Sequence, residues 1–304
     1  MSVARRTRHL GVRPVARLSL RGLGIVAIAI AATAPAAAQS PAAPDTVVVR
    51  SGALELRALL WRPAGRGPFP AVLFNHGSGH GARGPAGDRA EHPMEWQGEV
   101  LGPVFARHGY VFLYLLRRGT GLSAGQGENS TDLWNRELAA RRPEGRNRLQ
   151  LELLEGAELD DALAGLAGLR ALPEVDARRV AVAGHSFGGS IALLMAERDS
   201  TLRAAVNFAG AAGSWARSPS LRARLLAAAS RTAVPVFHVY AANDFSVAPG
   251  EALAAETARL GKRHTLKIYP AVGRSASEGH SLIHLRVAAW EPDVFGFLDE
   301  RLRP

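Results

Sequence analysis

Residues 179–190 read Arg179-Val180-Ala181-Val182-Ala183-Gly184-His185-Ser186-Phe187-Gly188-Gly189-Ser190. A short apolar run of β-branched and small residues ends at Gly184, and a helical apolar pattern begins after Gly188. This is Gly-x-Ser-x-Gly set between a strand and a helix. The turn is so tight that side chains at its flanks would clash, which accounts for Gly184 and Gly188. Ser186 is thereby pushed outward on a strained backbone, with its hydroxyl near the positive end of the following helix. The five-residue pattern alone also fits a plain glycine-bounded turn; its place between strand and helix makes Ser186 a candidate nucleophile. His185 reads as a lining or packing residue, because neighbours on such a turn point differently.

Working outward, short apolar runs alternate with helical patterns. Residues 47–50 and 53–61 read as a hairpin around Ser51-Gly52, and 70–74 as a strand ending in Asn75-His76-Gly77. A glycine-rich loop follows to about residue 94, then a helix over 99–107 and a strand over 110–116. Residues 117–147 are polar and read as irregular, and 149–169 shows leucines and alanines at helical spacing, interrupted by Gly156 and two later glycines. Further strands are expected at 179–183, 202–208, 234–240 and 265–269, with helices at 251–260 and 287–302. Such alternation predicts a mostly parallel sheet covered on both faces. Ligand sites in open sheets lie beyond the carboxyl ends of the strands, so 78–98 and 117–147 are the expected substrate-site insertions.

A serine hydroxyl is a poor nucleophile without a base, and the base needs an orienting carboxylate. The 234–240 strand runs into Ala241-Ala242-Asn243-Asp244, which makes Asp244 the candidate acid against the alternative of a loop cap. After the last strand, Gly279-His280-Ser281 is expected on a loop and offers His280 as the base. His284, four residues on, competes with it, although Ile283-His284-Leu285-Arg286 looks more like the start of the closing helix. An oxyanion would be met by the backbone N–H of Phe187 and by a second donor from His76-Gly77-Ser78-Gly79. Ser78 is preferred there, with Gly77 close behind; one well-aimed donor is worth about 3 kcal/mol in the transition state. His76 and His80 lack a third ligand at motif spacing, so no metal site is expected.

The 304 residues are 47% hydrophobic and 21% charged, with no cysteine. Thiolate catalysis, disulfides and cysteine-bound zinc are therefore excluded. The net charge is +10, but Arg5, Arg6, Arg8, Arg13, Arg17 and Arg21 supply six of those charges before any acidic residue, leaving +4 for the rest. No basic stripe with interleaved aromatics remains to suggest nucleic acid as a partner. The basic stretch, an apolar run over 23–34 and Ala36-Ala37-Ala38 predict a signal peptide over 1–38, cleaved before Gln39. The run falls short of the roughly 20 residues of a membrane-spanning helix, though an uncleaved anchor and twin-arginine export are alternatives. The expected location is periplasmic or secreted, with 39–304 as a single domain and no stable membrane span after signal removal.

Six segments together resemble the dienelactone-hydrolase-like and prolyl-oligopeptidase-like branch of the α/β-hydrolase superfamily. They are His76-Gly77-Ser78-Gly79, Arg118-Gly119-Thr120-Gly121-Leu122-Ser123, Val175-Asp176-Ala177-Arg178-Arg179-Val180, the serine turn, Asn243-Asp244 and Gly279-His280. The resemblance implies an α/β-hydrolase fold with a mostly parallel, eight-stranded sheet, and places Ser186, Asp244 and His280 in a catalytic triad. It has departures. Dienelactone hydrolases proper usually use a cysteine nucleophile, so their substrate is not carried over, and the oligopeptidase propeller is not expected in so short a chain. Many relatives have an aspartate before the Arg-Gly pair where this chain has Leu116-Arg117-Arg118, which predicts a more basic substrate mouth. Arg118 is expected to pair with a carboxylate, with a direct substrate role as the alternative. The basic stretch from Arg141-Arg142 to Arg148 reads as solvated surface, with acidic-substrate binding as the alternative.

The leading expectation is a serine hydrolase acting on a carboxylic ester through an acyl-enzyme, which calls for no metal or organic cofactor. The substrate would be a small-molecule ester or a short peptide-like molecule. A peptidase or amidase with the same triad, and a noncatalytic binding protein on the same fold, are the competing readings.

Overall fold

The computed structural model describes residues 43–78 and 94–303. Eight strands form one sheet: β1 (Asp45–Ser51), β2 (Leu54–Trp61), β3 (Phe69–Asn75), β4 (Val111–Leu116), β5 (Val175–His185), β6 (Ala204–Phe208), β7 (Val236–Ala241) and β8 (His264–Tyr269). Their order is β1-β2-β4-β3-β5-β6-β7-β8. The β1–β2 and β2–β4 ladders are antiparallel, and every ladder from β4 to β8 is parallel.

Alternation along the central strands explains the two-faced core. Leu73 of β3 and Val180 and Val182 of β5 join one apolar cluster; Val72, Phe74, Ala181 and Ala183 join the other. The first cluster takes Leu159 and Leu166 from α3 (Ala157–Arg170), Ile191 and Leu194 from α4 (Phe187–Arg198), Leu221 and Leu225 from α5 (Pro219–Arg231), and Leu253 from α6 (Ala248–Arg259). Leu101 and Phe105 of α1 (Met94–Arg107) and Trp290 and Phe295 of α9 (Val287–Leu302) cover the second.

Three readings of the sequence are corrected. Residues 117–147 are not irregular throughout: α2 spans Ser130–Glu155. Asn129 caps it, accepting hydrogen bonds on Oδ1 from the Thr131 and Asp132 amides at 2.9 and 3.2 Å. The helix is polar round most of its circumference and contains Pro143, so no apolar stripe announces it. Second, the helical spacing over 149–169 does not begin a new helix: residues 149–155 close α2, and α3 begins after the expected interruption at Gly156. Third, His280 is not on an open loop but is the last residue of α7 (Ala276–His280), one turn held by a capping box between Ser275 and Glu278. His284 lies in a separate turn, α8 (Leu282–Leu285), while α9 has the bounds expected for the closing helix. The expected signal segment 1–38 and residues 79–93 of the first insertion lie outside the described residues.

Candidate active site

Ser186 sits between β5 and α4 with φ 56° and ψ −117°, a left-handed conformation that a non-glycine residue adopts at a cost of about 1–3 kcal/mol. The surroundings hold it there. Its amide donates to Phe208 O at 2.8 Å, and its carbonyl accepts from Gly189 and Ser190 as α4 begins. The flanking glycines are required by contact: a Cβ on Gly184 would lie 2.1 Å from Gly188 O, and one on Gly188 would lie 2.0 Å from Asn75 O.

Asp244 follows β7, its side chain fully buried. His280 Nδ1–H donates to Asp244 Oδ1 at 2.8 Å, and the Phe245 amide donates to the same oxygen at 2.6 Å. With Nδ1 committed as donor, the second imidazole nitrogen of His280 is left as an acceptor. Asn243 fixes this corner: its Nδ2 donates to Val272 O and Ser275 O, and its Oδ1 accepts from the Val272 amide. Gly279 packs so closely that a Cβ there would meet Asn243 O at 2.5 Å. His185, the neighbour of Ser186, donates from Nε2 to His280 O at 2.8 Å.

His284 is placed differently. Its Nε2 is buried without a hydrogen-bond partner, its ring meets His185 edge-on at 5.4 Å, and burial, then the charge of His280, pushes its pKa down to about 3. Asp244 pairs with His280 and not with His284.

Ser186, Phe187, Ser78 and His280 line one cavity of about 210 Å³. The Ser78 end is anchored from below. Arg117, at 1% exposure, donates to His76 O at 2.9 Å and to Glu158 Oε2 at 2.6 Å, while its amide donates to His76 Nε2 at 3.1 Å. His76 Nδ1–H donates to Gly77 O. Burial first, then the Arg117 charge, holds His76 well below its ordinary pKa, so the ring stays neutral. This corrects the expectation of a mouth made basic by Leu116-Arg117-Arg118. Arg117 is consumed by Glu158 under the loop, and Arg118 grips Asp161 through Nε and NH2 at 2.8 and 2.6 Å. The pairing expected for Arg118 is therefore present.

The cavity's remaining wall is where the sequence was least informative. Trp134, Arg146 and Gln150 come from α2, and Ser214 and Arg217 from the segment between β6 and α5. Residue 146 falls within the basic stretch read as solvated surface, yet it faces the candidate site. Asn147 and Arg217 are 70 residues apart in sequence and are joined at 2.8 Å, Asn147 Nδ2 to Arg217 O. A cap at Asn129 and leucines 149, 151, 153 and 154 were the available signals for the helix that carries this wall.

The sheet order, its covering helices and the strand–turn–helix at Ser186 define the α/β-hydrolase class. Pyrococcus horikoshii acylaminoacyl peptidase superposes with a TM-score of 0.61 at 18% identity, over 86% of this chain and 41% of that chain. Pyrococcus furiosus esterase superposes with a TM-score of 0.59 at 16% identity, over 85% and 91% of the two chains. Porphyromonas gingivalis dipeptidyl peptidase 4 gives 0.56 at 21%, over 85% and 35%. This chain thus spans less than half the length of either peptidase. The dienelactone hydrolase family model matches residues 125–281, and the chain belongs to that family of hydrolases. No curated protein sequence matches it.

Proposed function

We propose that the chain is a serine hydrolase that cleaves carboxylic esters, with Ser186 as nucleophile, His280 as base and Asp244 as its orienting acid. The supporting observation is the 2.8 Å bond from His280 Nδ1 to a fully buried Asp244, with His280 sharing a cavity with the strained Ser186. Ser186 Oγ adds to the ester carbonyl carbon as its proton passes to His280 Nε2. The carbonyl π pair moves to oxygen, where the Phe187 and Ser78 amides meet it. Collapse breaks the bond to the alcohol oxygen, which takes the proton from His280 and leaves. Water then gives a proton to His280 and adds to the acyl carbon. Ser186 Oγ departs with that proton, releasing the carboxylic acid. Asp244 holds the imidazole tautomer throughout and stabilises its charged form.

Peptide or amide cleavage uses the same steps with a poorer leaving group. A panel of small esters, lactones and aminoacyl-arylamides, run on wild type and Ser186→Ala, separates the two. Arylamides turned over as fast as aryl esters would reverse the order. Fluorophosphonate labelling that fails to modify Ser186 in folded protein would instead favour a noncatalytic binding role. Among the described residues no helix is long and apolar enough to cross a membrane. Export through residues 1–38, to the periplasm or outside the cell, completes the proposal; a mature N-terminus at Gln39 is the measurement that tests it.

A further inference from the structure

Three non-glycine residues among those described hold a positive φ: Ser186 at 56°, Ala209 at 57° and Ala211 at 63°. The last two lie in the turn that leaves β6, and that turn carries the first, because Phe208 O accepts from the Ser186 amide at 2.8 Å. The Ala209 amide donates in turn to Val239 O at 2.8 Å, on the strand β7 that leads to Asp244. Ala211 lines the cavity with Ser186. The 208–211 backbone therefore links the strand of the proposed nucleophile to the strand of its proposed acid. It does so in a conformation that alanine keeps only when its surroundings impose it.

Asn207, at 1% exposure on β6, imposes it. Its Oδ1 accepts from the Gly210 amide at 2.9 Å, and its Nδ2 donates to Nδ1 of the fully buried His238 at 3.0 Å. An amide N–H can only donate, so the carboxamide has one orientation and His238 carries its proton on Nε2. That nitrogen donates to His264 Nδ1 at 3.4 Å. Burial, then the charge of His264, lowers the pKa of His238 to about 3, so the accepting form persists at neutral pH. From β7, Tyr240 OH donates to Gly210 O at 2.7 Å, and Gly210 is held at both backbone groups. Space has been cleared for the amide as well. A Cβ on Gly210 would lie 2.1 Å from Asn207 Oδ1, and one on Gly189, in the first turn of α4, would lie 2.4 Å from the same atom. Burying a carboxamide costs free energy unless its bonds are made, and packing alone does not call for one here.

We propose that Asn207, with His238 as its acceptor, is a positioning residue for hydrolysis: it fixes the 208–211 turn and, through Phe208 O, the place of Ser186 relative to Asp244 and His280. This rests on the reading of Ser186 as the nucleophile. Asn207 does not line the cavity, so its effect falls on the rate of acyl transfer and not on substrate affinity. A displacement of about 1 Å at a reacting atom can cost about 100-fold in rate.

The test uses two substitutions at Asn207. Asn207→Leu keeps the branching and removes both hydrogen bonds. Asn207→Asp keeps an acceptor for the Gly210 amide and pairs with His238 protonated on Nδ1. Modification of Ser186 by a fluorophosphonate is followed over a range of reagent concentrations, beside kcat/KM for an aryl acetate, with folding checked by circular dichroism. Asn207→Leu should lower kcat/KM and the limiting rate of modification by at least about tenfold, leaving the half-saturating concentration within about twofold. Asn207→Asp should bring both rates back to within about threefold of wild type. A folded Asn207→Leu with wild-type rates overturns the role, and so does a loss that Asn207→Asp leaves unrestored. If Asn207→Leu does not fold, His238→Leu carries the test. It strips the amide of its acceptor and should lower both rates by at least about threefold, and unchanged rates would overturn the role. Wild type that is modified at Ser186 no faster than the variants loses only the positioning role. Wild type that is neither modified there nor hydrolyses any ester loses the proposed nucleophile as well.

Discussion

The imidazole of His185 donates from Nε2 to the main-chain oxygen of His280 at 2.8 Å, so the residue next to the proposed nucleophile holds the backbone of the proposed base. The His185 ring is buried, and its pKa lies well below the ordinary histidine value through burial, then the charges of His280 and His284. It therefore acts as a neutral donor with one fixed tautomer. His185→Leu should lower ester kcat by about tenfold through loss of that positioning bond, with little change in KM. His185→Gln, which can present an N–H at a similar reach, should recover most of the loss. Equal defects in both variants would assign His185 to packing alone.

The Arg117–Glu158 pair lies at 1% and 2% exposure beneath the His76-Gly77 backbone. Glu158→Ala leaves a guanidinium buried with no counter-charge, a change that typically costs about 3–5 kcal/mol. Urea denaturation should show that loss of stability. Because Arg117 donates to His76 O, activity should fall further than the unfolded fraction explains. Arg118→Ala, which breaks a pair at 23% exposure on the arginine side, leaves Asp161 buried and should also destabilise while affecting kcat less.

These two pairs also show how far local pattern reaches. Gly184, Ser186 and Gly188 are legible because turn sterics act within five residues. Asp244 and His280 are legible because each follows a strand at the position where a parallel sheet presents its loops. The fate of Arg117 is different: its partner Glu158 is 41 residues away on α3, and nothing near Arg117 in sequence distinguishes a buried cation from an exposed one. The α2 helix hides for a related reason. Its polar circumference and Pro143 defeat periodicity, although Asn129 marks its start. As a result, the wall carrying Trp134 and Arg146 became visible only through folding.

Several buried histidines make stability depend on pH, His238 and His284 among them. Burial, then the neighbouring histidine, lowers His238 and His284 to about 3, the neighbours being His264 and His280. Their folded pKa values lie below the unfolded value of about 6.5. Between these limits the unfolded chain binds more protons, so stability rises with pH, is fully present above about 6.5 and is lost as pH falls towards 3. Each site contributes a slope of at most about 1.4 kcal/mol per pH unit in that window. Urea titrations at pH 7 and pH 5 should show the protein less stable at pH 5. His238→Asn or His284→Asn should reduce that difference, and an unchanged slope in both would rule these sites out as its source.

The choice of base is tested by two histidines four residues apart. His280 pairs with buried Asp244 and lines the cavity with Ser186, whereas His284 is buried against His185 with its Nε2 unpartnered. His280→Ala removes both proton transfers and should lower ester kcat by at least about 1000-fold, with residual turnover from binding and the oxyanion donors. The protein should still fold, because His280 ends a single turn at the edge of the cavity rather than filling the core. His284→Ala removes a packed neutral ring and should change kcat by less than about tenfold. Circular dichroism on both variants separates chemistry from folding. A well-folded His280→Ala enzyme with near-normal kcat would sink the triad, and a severe defect confined to His284→Ala would transfer the base to that residue.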